Sequence, residues 1–258
     1  MIAPALLPDD YAAWNRKHGA PFGHRVDWLP AIVPWRIRMK LGGPFSIQPN
    51  NTTRAFEYPW AFHAASLRPG MTVLEIGGGL SGFQFVLSRH GCKVVNVDPG
   101  QQAASHGWRC DQGSMRMLNR MFGTDVELRN TLVADASLGN ESVDLAVSIS
   151  VLEHLPDEAL ESVMTHVHRA LRPGGRFVVT TDLFIDIAPF TSRASNKYGR
   201  NVDVRRMIAM APFKMESGVT SELHGFPDFD AGVIQSRLSD FLIGNYPALT
   251  QCLVLVKQ

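Results

Sequence analysis

The sequence predicts an α/β fold: a mainly parallel sheet of about seven strands with helices on both faces. Three observations carry this expectation. From Met71 onward, short β-branched runs alternate with amphipathic stretches, the pattern of a parallel sheet with right-handed crossovers. A helix expected over 157–171 places Leu160, Val163, Met164, Val167 and Leu171 on one stripe before Pro173-Gly174-Gly175 stops it. The closing run 251–256 alternates and is apolar enough for an edge strand. Between these lie the strands expected at 72–76, 93–97, 127–133, 143–149 and 176–181.

Residues 1–66 have a different texture and are expected to form an N-terminal helical cap. They hold Trp14, Trp28, Trp35 and Trp60 and more Lys and Arg than Asp and Glu. Asp9 or Asp10 can cap a short helix ended by Gly19. The run 32–41 before Gly42-Gly43 reads as a second helix, and 54–67 as a third that bends at Pro59. Residues 67–258 form the main domain. Within it, 181–245 is irregular and polar, with one helix near 202–211, and is expected to be a substrate lid before the last strand.

Composition narrows the function by exclusion. The 258 residues are 45% hydrophobic and 19% charged, with a formal net charge of +1, so no basic excess suits a nucleic-acid partner. Cys92, Cys110 and Cys252 are scattered without metal-ligand or disulfide spacing. No basic, apolar leader opens the sequence, and no uncharged stretch reaches the ~20 residues of a membrane span. A cytoplasmic protein with reduced thiols, no metal and no membrane partner is the expectation.

The strongest local motif is the segment 73–82, V-L-E-I-G-G-G-L-S-G, a buried strand that runs into a glycine turn and then a helix. Gly77, Gly78 and Gly79 lack Cβ atoms, so a ligand can lie against the main chain at the strand's carboxyl end. Gly77, Gly79 and Gly82 also fit the dinucleotide pattern G-x-G-x-x-G, with Asp98 about 20 residues on to hold ribose hydroxyls. Glu75 weighs against a pyrophosphate, which it would repel, and suits a cationic ligand. Asp135-Ala136 follows the third strand at the same edge, where a carboxylate can accept from an adenine amino group. The fourth strand ends in Ser148-Ile-Ser-Val-Leu-Glu-His154-Leu-Pro-Asp157.

Taken together, 73–82, Val97-Asp98, Asp135-Ala136, Ser150 to Asp157 and Leu171 to Phe177 resemble the successive motifs of class I S-adenosylmethionine-dependent methyltransferases. Among these the chain is most similar to the small-molecule type whose fourth strand ends V-L-E-H-L-x-D. The resemblance covers roughly 68–181. It implies a Rossmann-like fold, S-adenosyl-L-methionine as cofactor, and a donor site made by Glu75, Gly77, Gly78, Gly79, Ser81, Asp98, Pro99, Asp135, Ala136 and Ser150. Ser81 stands where the family's E-x-G-x-G-x-G has its third glycine.

Methyl transfer from a sulfonium is an in-line displacement in which alignment and desolvation supply much of the acceleration. A base helps if the acceptor is a hydroxyl, and His154 is the first candidate. Its alternative is a ring that hydrogen-bonds backbone or shapes the pocket. His224, in a glycine-rich segment, either closes over the acceptor or is a surface histidine. His166 and His168 fall on the 157–171 helix and read as solvated positions. Tyr58, Trp60 and Phe62 either wall the pocket or pack in the core. Arg36, Arg38 and Lys40, like Lys197, Tyr198 and Arg200, read first as solvated groups. A small-molecule acceptor methylated on oxygen is expected, since no N-P-P-Y-like tetrad occurs at 148–151. The rivals are an NAD-dependent oxidoreductase and a donor-binding protein without catalysis. The aromatic cap offers apolar surface for a homodimer.

Overall fold

The computed structural model describes residues 1–30, 32–100 and 110–258. The strands are β1 (Thr72–Ile76), β2 (Lys93–Val97), β3 (Glu127–Arg129), β4 (Val143–Ile149), β5 (Leu171–Phe184), β6 (Phe213–Ser217) and β7 (Ala248–Lys257). They form one sheet in the order β3-β2-β1-β4-β5-β7-β6. The first five are parallel, and β7 runs antiparallel between β5 and β6. Among the described residues the α-helices are α1 (Asp9–His18), α2 (Trp35–Gly42), α3 (Arg54–Ala64), α4 (Gly82–Arg89), α5 (Gln112–Phe122), α6 (Asp157–Ala170), α7 (Val204–Ala209) and α8 (Ala231–Ser236).

Successive strand side chains point to opposite faces, and two cores result. Val73, Leu145, Val147 and Val178 pack with Trp14, Phe56, Phe83, Phe85 and Leu118, so α1, α3, α4 and α5 cover one face. Leu74, Ala146, Phe177 and Val179 pack with Leu160, Val163, Met164, Val167 and Met207, so α6 and α7 cover the other. Each fully buried Leu, Val or Met of the α6 stripe contributes roughly 1.5–3 kcal/mol by leaving water.

The cap shares the first of these cores. Pro59 lies inside α3 and cannot donate to the carbonyl of Ala55. Asn15 Nδ2 of α1 donates to that oxygen at 2.7 Å, so the missing helix bond becomes a tie between α1 and α3. Tyr58 and Trp60 are buried in the core and Phe62 packs against it. By contrast Phe22, Trp28, Ile32, Trp35, Ile37 and Leu41 are exposed.

Several boundaries differ from the sequence expectation. Strand β3 stops at Arg129 rather than running to 133, because Thr131 N turns back onto Arg129 O and the Asn130 amide donates to the carbonyls of Asp98 and Cys110. Residues Val133–Asp135 form a 3₁₀ turn instead. Helix α6 ends at Ala170, ahead of the Pro173-Gly174-Gly175 turn, which lies inside β5 where pairing moves from Leu171 opposite Val143 to Arg176 opposite Leu145. Helices α5 and α8 and strand β6 fall where the sequence reading places no element, and β6 lies within 181–245. Its sequence, Phe-Lys-Met-Glu-Ser, carries the charges of a short edge strand and so shows little apolar signal.

The strand order reverses between β1 and β4, and open α/β sheets bind ligands in the crevice beyond the carboxyl ends at such a switch point. The cavity of about 510 Å³ lined by Arg68, Asp144, Arg172 and Arg176 lies at the opposite end of the strands. Among the described residues no helix is long and apolar enough to cross a membrane, and no His, Cys, Asp and Glu side chains gather as a metal-ligand set.

Candidate active site

The turn after β1 is held by its own neighbours. Gly77 (φ +68°) takes a left-handed conformation, and a Cβ there would sit 2.5 Å from Val151 Cγ1. Gly79 N donates to Asp98 Oδ2 at 2.9 Å, and Gly100 N to Asp98 Oδ1 at 2.7 Å. The Gly79 carbonyl accepts from Asn96 Nδ2, Gln84 Nε2 and the Cys110 thiol. Gln48 of the cap takes the Leu80 N–H at 2.9 Å, and Phe45 fills the space above Gly82 so closely that a Cβ would lie 2.5 Å from its ring. The cap therefore helps to shape this turn.

Glu75 ends β1 with 2% exposure. Ser81 Oγ donates to its Oε1 at 3.0 Å, and Oε2 is buried with no partner among the described residues. Burial pushes this carboxyl up to about 8; the Ser81 bond opposes the rise and the Asp98 charge adds to it. A buried carboxylate oxygen without a partner is costly, and a cationic group beside it would both satisfy it and favour its ionised form. Among the described residues each Asp98 oxygen accepts a single N–H, which leaves each a lone pair for a ribose hydroxyl. These residues fit a nucleoside with an ammonium-bearing tail.

The structure brings Glu75, Gly77, Gly78, Gly79, Ser81 and Asp98 together, with half-buried Pro99 next in sequence. Ala136 is buried in the core with Ile76 and Val97, while Asp135 is exposed on its 3₁₀ turn. Ser150 (φ +44°) joins a second cluster that sequence reasoning does not find. There Glu57, fully buried on α3, meets Arg54 Nη1 at 2.5 Å and accepts from Ser150 Oγ and Thr180 Oγ1, each at 2.7 Å, and from Thr250 Oγ1. Burial alone would raise Glu57, but Arg54 and the hydroxyls of Thr180 and Ser150 hold its carboxyl below the usual range. Ser150 Oγ also reaches Asp182 Oδ1 at 3.3 Å, and Tyr246 Oη donates to Asp182 Oδ2 at 2.6 Å. Asp182 N donates to Glu153 Oε1.

Exposed His154 stands at the rim, its Nδ1 against the carbonyl oxygen of Tyr198. The same turn is pinned by Arg200, which donates to Leu155 O and pairs with Asp157. His224 is packed edge-on against Phe229, its ring held below the ordinary histidine value by burial, while its carbonyl accepts from Val204 N. His166 bonds Ser162 O within α6, and half-buried His168 packs edge-on against Phe213 rather than standing in water. One sign of the missed cluster is legible: Arg54 and Glu57, three apart, are opposite charges in an otherwise apolar helix.

A family model described as a methyltransferase domain matches residues 52–209, more than half of the chain. The sequence is similar to a ubiquinone biosynthesis O-methyltransferase of Rhizobium etli, 29% identical over 122 residues, 45% of this chain and 44% of that protein. It is also similar to a probable S-adenosylmethionine-dependent methyltransferase of Mycolicibacterium smegmatis, 30% identical over 151 residues, 57% of this chain and 53% of the relative. The chain thus matches about half the length of these relatives. In fold it resembles a geranyl diphosphate C-methyltransferase from Streptomyces coelicolor, with a TM-score of 0.52 and 15% identity over 79% of this chain and 81% of that one. Fold, glycine turn and family match define a class I methyltransferase. The chain belongs to the S-adenosylmethionine-dependent methyltransferase family.

Proposed function

We propose that the protein transfers a methyl group from S-adenosylmethionine to an oxygen of a small molecule. The observation that carries this reading is the buried oxygen of Glu75 that has no partner among the described residues, set beside Ser81 and Asp98 at the switch point of the sheet. When bound, the cofactor supplies a methyl on a positively charged sulfur. Asp98 holds the ribose, Glu75 takes the ammonium end, and the Gly77–Gly79 main chain lets the nucleoside lie close. Asp135 and Ala136 lie beyond β3 on the adenine side. The side chains at the ends of β4 and β5 meet the acceptor, and His154 holds the 196–200 turn over that edge. The Rhizobium etli relative, named for O-methylation, supports an oxygen acceptor. The exposed aromatic and aliphatic side chains of the cap support a homodimer, which light scattering tests.

The test is thermal unfolding with S-adenosylhomocysteine and, in parallel, with NAD. Ligand at 100 times its dissociation constant adds about 2.7 kcal/mol, a shift of several degrees. A rise with the homocysteine compound alone is expected, followed by radiolabelled methyl transfer to a hydroxylated acceptor panel. A rise with NAD alone overturns the reading.

A further inference from the structure

The buried network at the β4–β5–β7 edge reaches the surface through one side chain. Arg54, Glu57, Ser150, Thr180, Asp182 and Thr250 are buried, whereas Tyr246 is half-buried, and its hydroxyl ends the chain of hydrogen bonds at Asp182 Oδ2. The Tyr246 ring stacks on Tyr198 at 4.2 Å between centroids and 21° between planes, and Phe184 lies beside both. Glu153 Oε2, on a residue 1% exposed, has no hydrogen-bond partner among the described residues, although its Oε1 takes the Asp182 N–H. An aromatic wall, a half-buried hydroxyl and an unmatched buried oxygen therefore converge on one corner. That corner lies beyond the end of β4, next to the proposed donor site.

We propose that this corner receives the acceptor as a planar hydroxylated ring, with Tyr246 touching the reacting hydroxyl and Asp182 behind it receiving the proton. The proposal rests on the methyl-transfer reading above. The aromatic side chains Phe184, Tyr198 and Tyr246 gathered at this corner favour a ring over a flexible chain. The acceptor oxygen forms the new bond to carbon as the methyl–sulfur bond breaks with its electron pair left on sulfur. The acceptor's proton passes to Tyr246 Oη while the tyrosine's own proton moves to Asp182 Oδ2 and then to solvent. No oxidant or metal enters the balance.

The charges agree with this direction of transfer. Asp182 is faced by Arg54 and Glu57 of α3, Glu153 of the turn after β4, and Tyr246 of the segment before β7. Burial raises Asp182, with Arg54 opposing and Glu57 adding, which makes it a stronger base than an ordinary aspartate. Burial, with the charge of Asp182, pushes Tyr246 well above an ordinary tyrosine, so it relays a proton without resting as tyrosinate. Burial and the charge of Asp182 likewise raise Glu153.

The probe is 4-nitrophenol, whose colour reports ionisation, titrated into the full chain saturated with S-adenosylhomocysteine. Bound probe is expected to ionise at a higher pH than free probe, because the burial and the Asp182 charge that raise Tyr246 act on it as well. Tyr246→Phe is expected to weaken its binding about tenfold, the loss of one hydrogen bond. Asp182→Asn is expected to reduce the shift with a smaller loss of affinity. Both variants should keep the thermal shift given by S-adenosylhomocysteine, and Tyr246→Phe carries the test if Asp182→Asn does not fold. Absence of probe binding, or unchanged affinity and ionisation in the variants, overturns the acceptor assignment. Absence of S-adenosylhomocysteine binding to the wild-type chain fails the donor reading instead.

Discussion

The two halves of the crevice are built by different means. The proposed donor half is short in sequence: residues 75–82 and 96–100 make most of it, and its specific contacts are peptide groups of Gly79, Leu80 and Gly100 meeting Asp98 and Gln48. The opposite half gathers side chains from positions 54, 57, 150, 153, 180, 182, 246 and 250, spread along almost the whole chain. A main-chain cradle fixes an invariant ligand and leaves little to vary. A side-chain network can be rewritten residue by residue, which suits the half that must recognise a particular acceptor.

The contrast predicts where each half breaks. Glu57→Gln leaves the Arg54 charge buried without its counter-ion and should cost about 3–5 kcal/mol in denaturant unfolding; a loss near zero would make the network dispensable to folding. Asp98→Ala should abolish the stabilisation by S-adenosylhomocysteine, about 2.7 kcal/mol at 100 times the dissociation constant, and a retained thermal shift would move the ribose site elsewhere. Gly82→Ala drives a Cβ into the Phe45 ring and should cost about 1–3 kcal/mol by overpacking, with weaker ligand binding because the cap and the turn move together. The last effect is a slope with pH rather than a single loss. Folded Glu75 keeps its proton up to about 8, whereas an unfolded glutamate releases it near ~4.3. The folded state therefore binds more protons between these values, and the stability of the ligand-free protein should fall as pH rises through that window. Glu75→Gln should flatten this slope; an unchanged slope would assign it to other groups.

The same contrast decides what the sequence made legible. The donor turn shows because backbone geometry imposes residue types at fixed spacing: glycines where a Cβ would meet Val151, an acid at the end of β1, another at the end of β2. The parallel strands and the α6 stripe follow from periodicity for the same local reason. Tyr246 carries no such mark, since nothing near Asn245-Tyr-Pro247 indicates that the ring folds back onto Asp182, 64 positions earlier. Glu57 lies between these cases. Its pairing with Arg54 is a local hint, but its partners Ser150, Thr180 and Thr250 become neighbours only when α3 lies across the sheet. Helix α5 had readable ends, Asp111 capping Ser114 N and Gly123 in the left-handed region, beside the helix-weakening pair Gly113-Ser114.

The thiol of Cys110 donates to the Gly79 carbonyl and is raised well above an ordinary thiol, first by burial and then by the charge of Asp98. While the turn is closed, that sulfur is both hidden and protonated, and so inert to alkylating reagents. Its rate of modification is thus a clock for opening of the nucleoside cradle, and slowing of that clock by a bound nucleoside would read occupancy without any knowledge of the acceptor.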